Sequence, residues 1–220
     1  MKAIFFDMNE TLLNLSVLKE EFDKYFDDKF ALKYWFTKLL HSSTIMGVMN
    51  EYKNFGELAD VALENIFFEN NITLNQETKT KILGAFRKLP AFNDVRPALT
   101  LLKENNIRVI AVSNSSLAMI KEQLTNAGII DLFDAYYSVD AVKKYKPFKE
   151  IYLYAAKKEI LPVEDIVMVA THDWDLFGAK KAGLTTAFIQ RKSEIYNPCY
   201  FDADYKGSDL KELMVQIIKN

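Results

Sequence analysis

Five short apolar runs without polar alternation constrain what this chain can fold into more than any other feature. They fall at residues 2–6, 108–112, 135–138, 166–169 and 185–190. A strand with one wet face alternates apolar and polar residues, whereas a strand covered on both faces reads as a continuous apolar run. Runs of this kind separated by helical patterns predict an α/β fold, a Rossmann-like parallel sheet with helices on both faces. The helices expected behind the strands span 117–127, 148–158, 175–182 and 209–218, with Gly128 and Gly183 placed to close the first and third.

About a hundred residues separate the first two runs, far more than a strand-to-helix crossover needs. This stretch has helical periodicity and is rich in aromatics, among them Phe22, Phe26, Trp35, Phe36, Phe67 and Phe86. It is expected to form a helical subdomain, residues 15–91, inserted after the first strand, with 1–14 and 92–220 forming the sheet core. Most of its aromatics are expected to fill its own interior. Thr73-Leu74-Asn75-Gln76 reads as a capping box opening one of its helices.

Composition excludes several classes. Lys plus Arg number 28 against 30 Asp plus Glu, a net charge of −2, and no basic stripe supports nucleic-acid binding. No apolar run approaches the roughly 18 residues of a membrane span, and the first residues include acids rather than a signal-peptide pattern. Cys199 is the one cysteine and His41 and His172 the only histidines. That leaves no internal disulfide, no multi-cysteine zinc site and no histidine-rich metal cage. The expected location is the cytoplasm, Cys199 is expected to be an inert packed thiol, and His41 a residue without a role in the site.

The residues that carry chemistry stand at the ends of the runs. Asp7 follows Phe6 directly, with Asn9 and Thr11 just beyond; a carboxylate there faces the crevice where open α/β sheets bind ligands. Ser113 and Asn114 close the second run, Lys146-Pro147 precedes Tyr152, and His172, Trp174 and Asp175 follow the fourth run. Each has an ordinary reading: Asp7 as a turn residue, the Ser-Asn-Ser-Ser segment as a helix N-cap, Asp175 as a cap. Those readings do not account for the four segments occurring together, in order, at strand ends.

In these four segments and in the position of the helical insert, the sequence resembles the haloacid dehalogenase superfamily over essentially its whole length. The resemblance implies that residues 15–91 are a helical cap. It also implies that Asp7 is a nucleophile supported by Thr11, that Ser113 and Asn114 bind the substrate's anionic group, and that Lys146 holds the nucleophile. Asp175 would be the fourth-motif acid. The superfamily's phosphatases carry a second acid two residues after the nucleophile, which does general acid–base work; here that residue is Asn9. Their Mg²⁺-holding fourth motif has a Gly-Asp pair where this chain has Ala170-Thr171.

The chain is more similar to the type II 2-haloacid dehalogenases, which need no metal or other cofactor. That likeness implies a small halogenated carboxylic acid as substrate and leaves a homodimer open. In such an enzyme Asp7 attacks the α-carbon of a short 2-haloalkanoate, forming an ester and expelling halide. Water then releases a 2-hydroxyacid, positioned or deprotonated by Asp175 with His172. Asn9, Tyr152, Trp174, Trp35 and Phe36 would line the substrate pocket. The chain departs from that group in having Asn9 for an aromatic, Glu10 for glycine and Phe36 for arginine. It also has Ala170 for serine and His172 for asparagine. His172, Trp174 and Trp35 would then form a substitute halide pocket. The alternatives are a phosphatase with a weakened site and a non-catalytic binding protein of the same fold.

Overall fold

A computed structural model describes residues 1–219. Six parallel strands form one sheet in the order β3-β2-β1-β4-β5-β6. They are β1 (Ala3–Phe6), β2 (Arg108–Ser113), β3 (Ala135–Ser138), β4 (Ile166–Ala170), β5 (Thr185–Ile189) and β6 (Tyr205–Gly207). The expected α/β architecture is what forms, and every run singled out in the sequence is a strand. β1 lies in the middle, with Phe6 in register with Ala111 of β2 and Val169 of β4. All four of its residues are wholly buried, which explains the absence of alternation. Burying side chains such as Ile4, Phe5 and Phe6 is worth roughly 1.5–3 kcal/mol each.

The third strand-following helix was expected to begin at 175, but α8 (Asp173–Lys181) starts two residues earlier, which puts Asp175 inside its first turn. The other core helices are α5 (Val95–Glu104), α6 (Leu117–Asn126), α7 (Lys149–Glu159) and α9 (Leu210–Ile218). Gly128 and Gly183 adopt φ of 68° and 95° just past α6 and α8, the left-handed turn that closes a helix and suits a residue without a Cβ. Gly178 serves a different purpose. A Cβ there would collide with the carbonyl of Pro147, so glycine lets α8 lie directly against the Lys146-Pro147 segment.

Between β1 and α5 the chain forms α1 (Lys19–Phe22), α2 (Ala31–Val48), α3 (Phe55–Glu69) and α4 (Gln76–Phe86). The aromatics behave as expected of an interior: Trp35 sits 5.5 Å from Phe22 and 5.3 Å from Phe86, centroid to centroid. Three expectations are corrected. Asn75, not Thr73, caps α4, its side chain accepting from the Thr78 amide, so the supposed box is a single Asn cap. Cys199 is exposed rather than packed, because it lies in the loop between β5 and β6. β6 itself had no apolar signature, being a three-residue Tyr-Lys-Gly edge strand. Among the described residues no helix is long and apolar enough to cross a membrane.

Candidate active site

The strand order reverses direction at β1, since the chain moves to β2 and β3 on one side and to β4 and β5 on the other. Crevices at such switch points bind ligands beyond the carboxyl ends of the strands. Asp7 lies immediately past β1, its amide donating to Val169 O at 3.0 Å, and Thr171 and His172 follow β4 directly. The two loops are stitched by Thr11: its hydroxyl donates to Asp7 Oδ2 at 2.6 Å and accepts from the Thr171 amide at 3.0 Å. Arg191 secures the same turn from below, donating to Thr11 O at 3.0 Å and pairing with Asp94 at 2.6 Å.

Lys146 bridges two carboxylates. Its ammonium lies 3.0 Å from Asp7 Oδ1 and 2.8 Å from Asp175 Oδ2, and it is 1% exposed. A buried ammonium is tolerated because both neighbours carry the opposite charge; burial acts against its charge, and Asp175 and Asp7 outweigh it to raise its pKa. The remaining oxygen of Asp175, Oδ1, accepts from the Tyr152 hydroxyl at 2.5 Å. Burial keeps the Asp175 pKa above the usual carboxylate value despite Lys146. For Asp7 the balance runs the other way: burial opposes ionisation, but Lys146 and His172 together hold it well below the ordinary carboxylate range. Asp7 is thus a largely buried, ionised carboxylate held by Lys146, Thr11 and His172.

His172 stands between two acids. Nδ1 is 3.3 Å from Asp7 Oδ2 and Nε2 is 2.9 Å from Glu10 Oε2. Burial would lower its pKa, yet hydrogen bonds and charge from Asp7 and Glu10 push it up to about 9. At neutral pH it is an imidazolium donating from both nitrogens. Glu10 is paired in turn with Lys192. The imidazole is stacked against Trp174 at 5.1 Å and tilted against Phe36 of α2 at 6.3 Å.

A cavity of about 540 Å³ opens over this group, walled by His172, Trp174 and Lys146 on one side and by Phe36, Leu40 and His41 of α2 on the other. His41, expected to lie outside the site, lines it, and Glu10 and Lys192 line it as well. Neither of these was found from sequence. Glu10 stood directly between Asn9 and Thr11 but was noted only as a departure from glycine, and Lys192 had no signal among many surface lysines.

The structure brings Asp7, Thr11, Lys146, His172 and Asp175 into one connected network. Ser113 and Asn114 lie at its edge, buried: Ser113 Oγ accepts from the Ser115 amide at 3.1 Å and Asn114 Oδ1 from the Lys146 amide at 2.9 Å. Of the residues expected at the site, Lys146, His172, Trp174 and Phe36 line the cavity; Asp7 meets it through Lys146 and His172, and Trp35 and Tyr152, like Asn9, Thr11, Ser113, Asn114 and Asp175, are not part of its wall. Trp35 is wholly buried and donates to Ala59 O at 3.0 Å, while Tyr152 backs Asp175 from inside the core. Asn9 is also engaged, its Oδ1 accepting from Gln123 Nε2 at 3.2 Å.

Comparison with known proteins agrees with this geometry. The family model for haloacid dehalogenase-like hydrolases matches residues 1–183. An (S)-2-haloacid dehalogenase from Pseudomonas sp. (strain YL) is 27% identical over 216 residues, covering 97% of this chain and 93% of that enzyme. One from Burkholderia cepacia is 27% identical over 222 residues, covering 100% and 96%. A solved dehalogenase structure superposes with a TM-score of 0.94 at 26% identity, covering 100% of this chain and 98% of that one. The fold is also that of the L-2-haloacid dehalogenase from Xanthobacter autotrophicus, TM-score 0.92 at 20% identity, covering 99% and 98%. The chain is a member of the haloacid dehalogenase-like hydrolase family, and it is an enzyme.

The Mg²⁺ that phosphatases of this superfamily employ does not fit the donor set. Mg²⁺ prefers several anionic oxygens in octahedral array. Here the position of the second acid is Asn9, already hydrogen-bonded to Gln123, and both Asp175 oxygens are occupied by Lys146 and Tyr152. Among the described residues no group of three or more His, Cys, Asp or Glu side chains is arranged to hold a metal ion.

Proposed function

We propose that the enzyme hydrolyses short 2-haloalkanoic acids to 2-hydroxyacids through an ester on Asp7. The observation that carries this reading is the state of Asp7: an ionised carboxylate held by Lys146, Thr11 and His172 beside a partly apolar cavity. A carboxylate stripped of water is a strong nucleophile toward a carbon bearing a good leaving group. In the first step an Asp7 oxygen forms a bond to the α-carbon and the carbon–halogen bond breaks, its electrons leaving with the halide. Attack from behind inverts that carbon.

The substrate carboxylate needs fixed donors, and Ser113 and Asn114, at the carboxyl end of β2, are assigned to it. The departing halide needs a cationic or NH-rich wall. Phe36, Trp174 and His172 are assigned to that wall, with the imidazolium in place of the arginine that related enzymes carry. Lys146 offsets charge at Asp7 throughout, and Asp175 holds Lys146. Helices α1–α4, the proposed cap of residues 15–91, cover the crevice and exclude water from the first step. Asn9 cannot protonate a leaving oxygen, which disfavours phosphate-ester hydrolysis at the same site.

Halide release from fluoroacetate, chloroacetate and both enantiomers of 2-chloropropionate, measured with EDTA present, tests the reading. Release that survives EDTA and is lost in Asp7→Asn supports it. Absence of release from every acid, with phosphate-ester cleavage on adding Mg²⁺, overturns it.

A further inference from the structure

Ester breakdown requires a group that takes a proton from water, and Asp175 is poorly placed to do so. It has no exposed surface, and each of its carboxylate oxygens already accepts a short hydrogen bond, from Lys146 and from Tyr152. A water would have to displace one of them. His172 has the opposite situation. Its side chain keeps 13% of its surface, lines the cavity, and holds Nδ1 3.3 Å from Asp7.

Behind His172 stands a support built from Glu10 and Lys192. Glu10 occupies a left-handed backbone conformation, φ 65°, which costs a residue with a Cβ and favours glycine. Strain of this sort persists where the surroundings impose it and often marks a working site. There it turns its carboxylate onto His172 Nε2 at 2.9 Å, with Lys192 on its other oxygen. Glycine at residue 10 with asparagine at 172 could make neither contact, so the two departures from related dehalogenases act as one unit.

We propose that His172 is the general base for hydrolysis of the Asp7 ester, with Glu10 the positioning residue that orients it and Lys192 the anchor of Glu10. This rests on the aspartyl-ester reading and adds the identity of the base. Before reaction the imidazolium faces the Asp7 anion. Alkylation removes that negative charge, so Nδ1–H loses its strongest partner and gives its proton to solvent, while Nε2–H stays on Glu10. Neutral Nδ1 then takes a proton from a water attacking the Asp7 carbonyl carbon. The ester C–O bond breaks, the departing 2-alkoxyacid takes that proton from His172, and the water oxygen remains on Asp7. The proton left on the Asp7 carboxyl returns to Nδ1. Halide and one proton leave per acid hydrolysed, and the resting ion pair is restored.

In contact with His172 stand Asp7 and Glu10 from the β1 loop; the other titratable and charged groups lining the cavity with it are Lys146 before α7, Lys192 and Glu194 after β5, and Lys19, Lys29, Lys33 and His41 of the α1–α2 region. Only Asp7 changes charge during the cycle.

The test is halide release and intact-protein mass in wild-type, His172→Gln and Glu10→Gln proteins given 2-chloropropionate. His172→Gln is expected to release one halide per chain, more slowly than wild type because the cationic wall is lost as well, and then stop, retaining the propionate group on Asp7. Its ester breaks down at least about a hundred-fold more slowly than in wild type, the usual scale of a lost general base. In His172→Ala, added imidazole is expected to restore breakdown. Glu10→Gln keeps the halide burst, slows ester breakdown and moves the acid limb of its pH profile to lower pH, because a neutral partner no longer holds the imidazole proton. Full turnover in His172→Gln overturns the proposal, as does a folded His172→Gln that never forms the ester. Should His172→Gln fail to fold, an unshifted Glu10→Gln profile overturns it. A wild-type enzyme that releases no halide overturns the dehalogenase reading itself, which the variant results leave standing.

Discussion

The ammonium of Lys146 lies 2.8 Å from Asp175 Oδ2 in a setting from which water is excluded, Asp175 having no exposed surface and Lys146 almost none. Such a pair is costly to assemble and costlier to break, because removing one partner leaves a buried charge uncompensated. Lys146→Met strips the cation from both Asp7 and Asp175. It is expected to lower stability by about 3–5 kcal/mol and to abolish halide release. Urea unfolding followed by circular dichroism measures the first, a halide assay the second. A stable Lys146→Met protein with full activity would contradict the arrangement.

The sequence places Tyr152 in the substrate pocket, whereas in the structure it supports Asp175 from inside the core. Tyr152→Phe keeps the ring in the core and removes only the hydroxyl that donates to Asp175 Oδ1 at 2.5 Å. Hydrogen bonds to charged groups contribute about 1.5–3 kcal/mol, so a destabilisation of that size is expected, with kcat reduced and KM for the haloacid little changed. A rise in KM alone would instead put Tyr152 in contact with substrate.

Trp35 separates interior from site within the same helix. Trp35→Ala is expected to cost about 3–5 kcal/mol through the cavity it leaves, since its ring is packed on Phe22, Phe36 and Phe86. Phe36→Ala, one residue on, opens the cavity wall and is expected to change the preference among halogens while stability falls less. Calorimetry and a halide-release panel on both variants distinguish the two roles.

Stability should depend on pH through His172. Its pKa rises from 6.5 when unfolded to about 9 when folded, so the folded form holds a proton that the unfolded form releases in that interval. By linkage, stability is fully supported below 6.5 and declines as pH climbs through about 9. Asp7, with its lowered pKa, contributes above its unfolded value of 3.8 and loses that contribution only in strong acid. Urea midpoints from neutral to alkaline pH should therefore fall in wild type and flatten in His172→Gln. Parallel curves would show that His172 does not hold this proton.

The parts of the fold legible in sequence were those in which one physical demand acts on consecutive residues. β1 and β4 are buried along their whole length and apolar throughout, and β2 is buried past Arg108; β3, half-buried over Ala135–Tyr137, and β5, which opens with two threonines, carry a weaker form of the same signal, and β6, at an edge and only three residues long, faces no such demand. The site was legible where it sits at strand ends, as with Asp7, Ser113 and Asp175. It was not legible where tertiary approach decides, because spacing along the chain carries no trace of it. Lys192 reaches Glu10 across 182 positions, and His41 meets the cavity only because α2 comes over the loops that follow β1 and β4. Trp35 and Phe36, adjacent in sequence, part company because successive residues of a helix point about 100° apart. One faces the interior of α1–α4, the other the crevice.

An ester on Asp7 is read out by a single turnover in oxygen-labelled water, with enzyme in excess over 2-chloropropionate. The label is expected in the Asp7 carboxylate, found in the peptide that contains it, while the hydroxyacid from this first turnover is unlabelled. Label in the hydroxyacid and none on Asp7 would mean that water attacks the carbon itself, and that Asp7 is not the nucleophile.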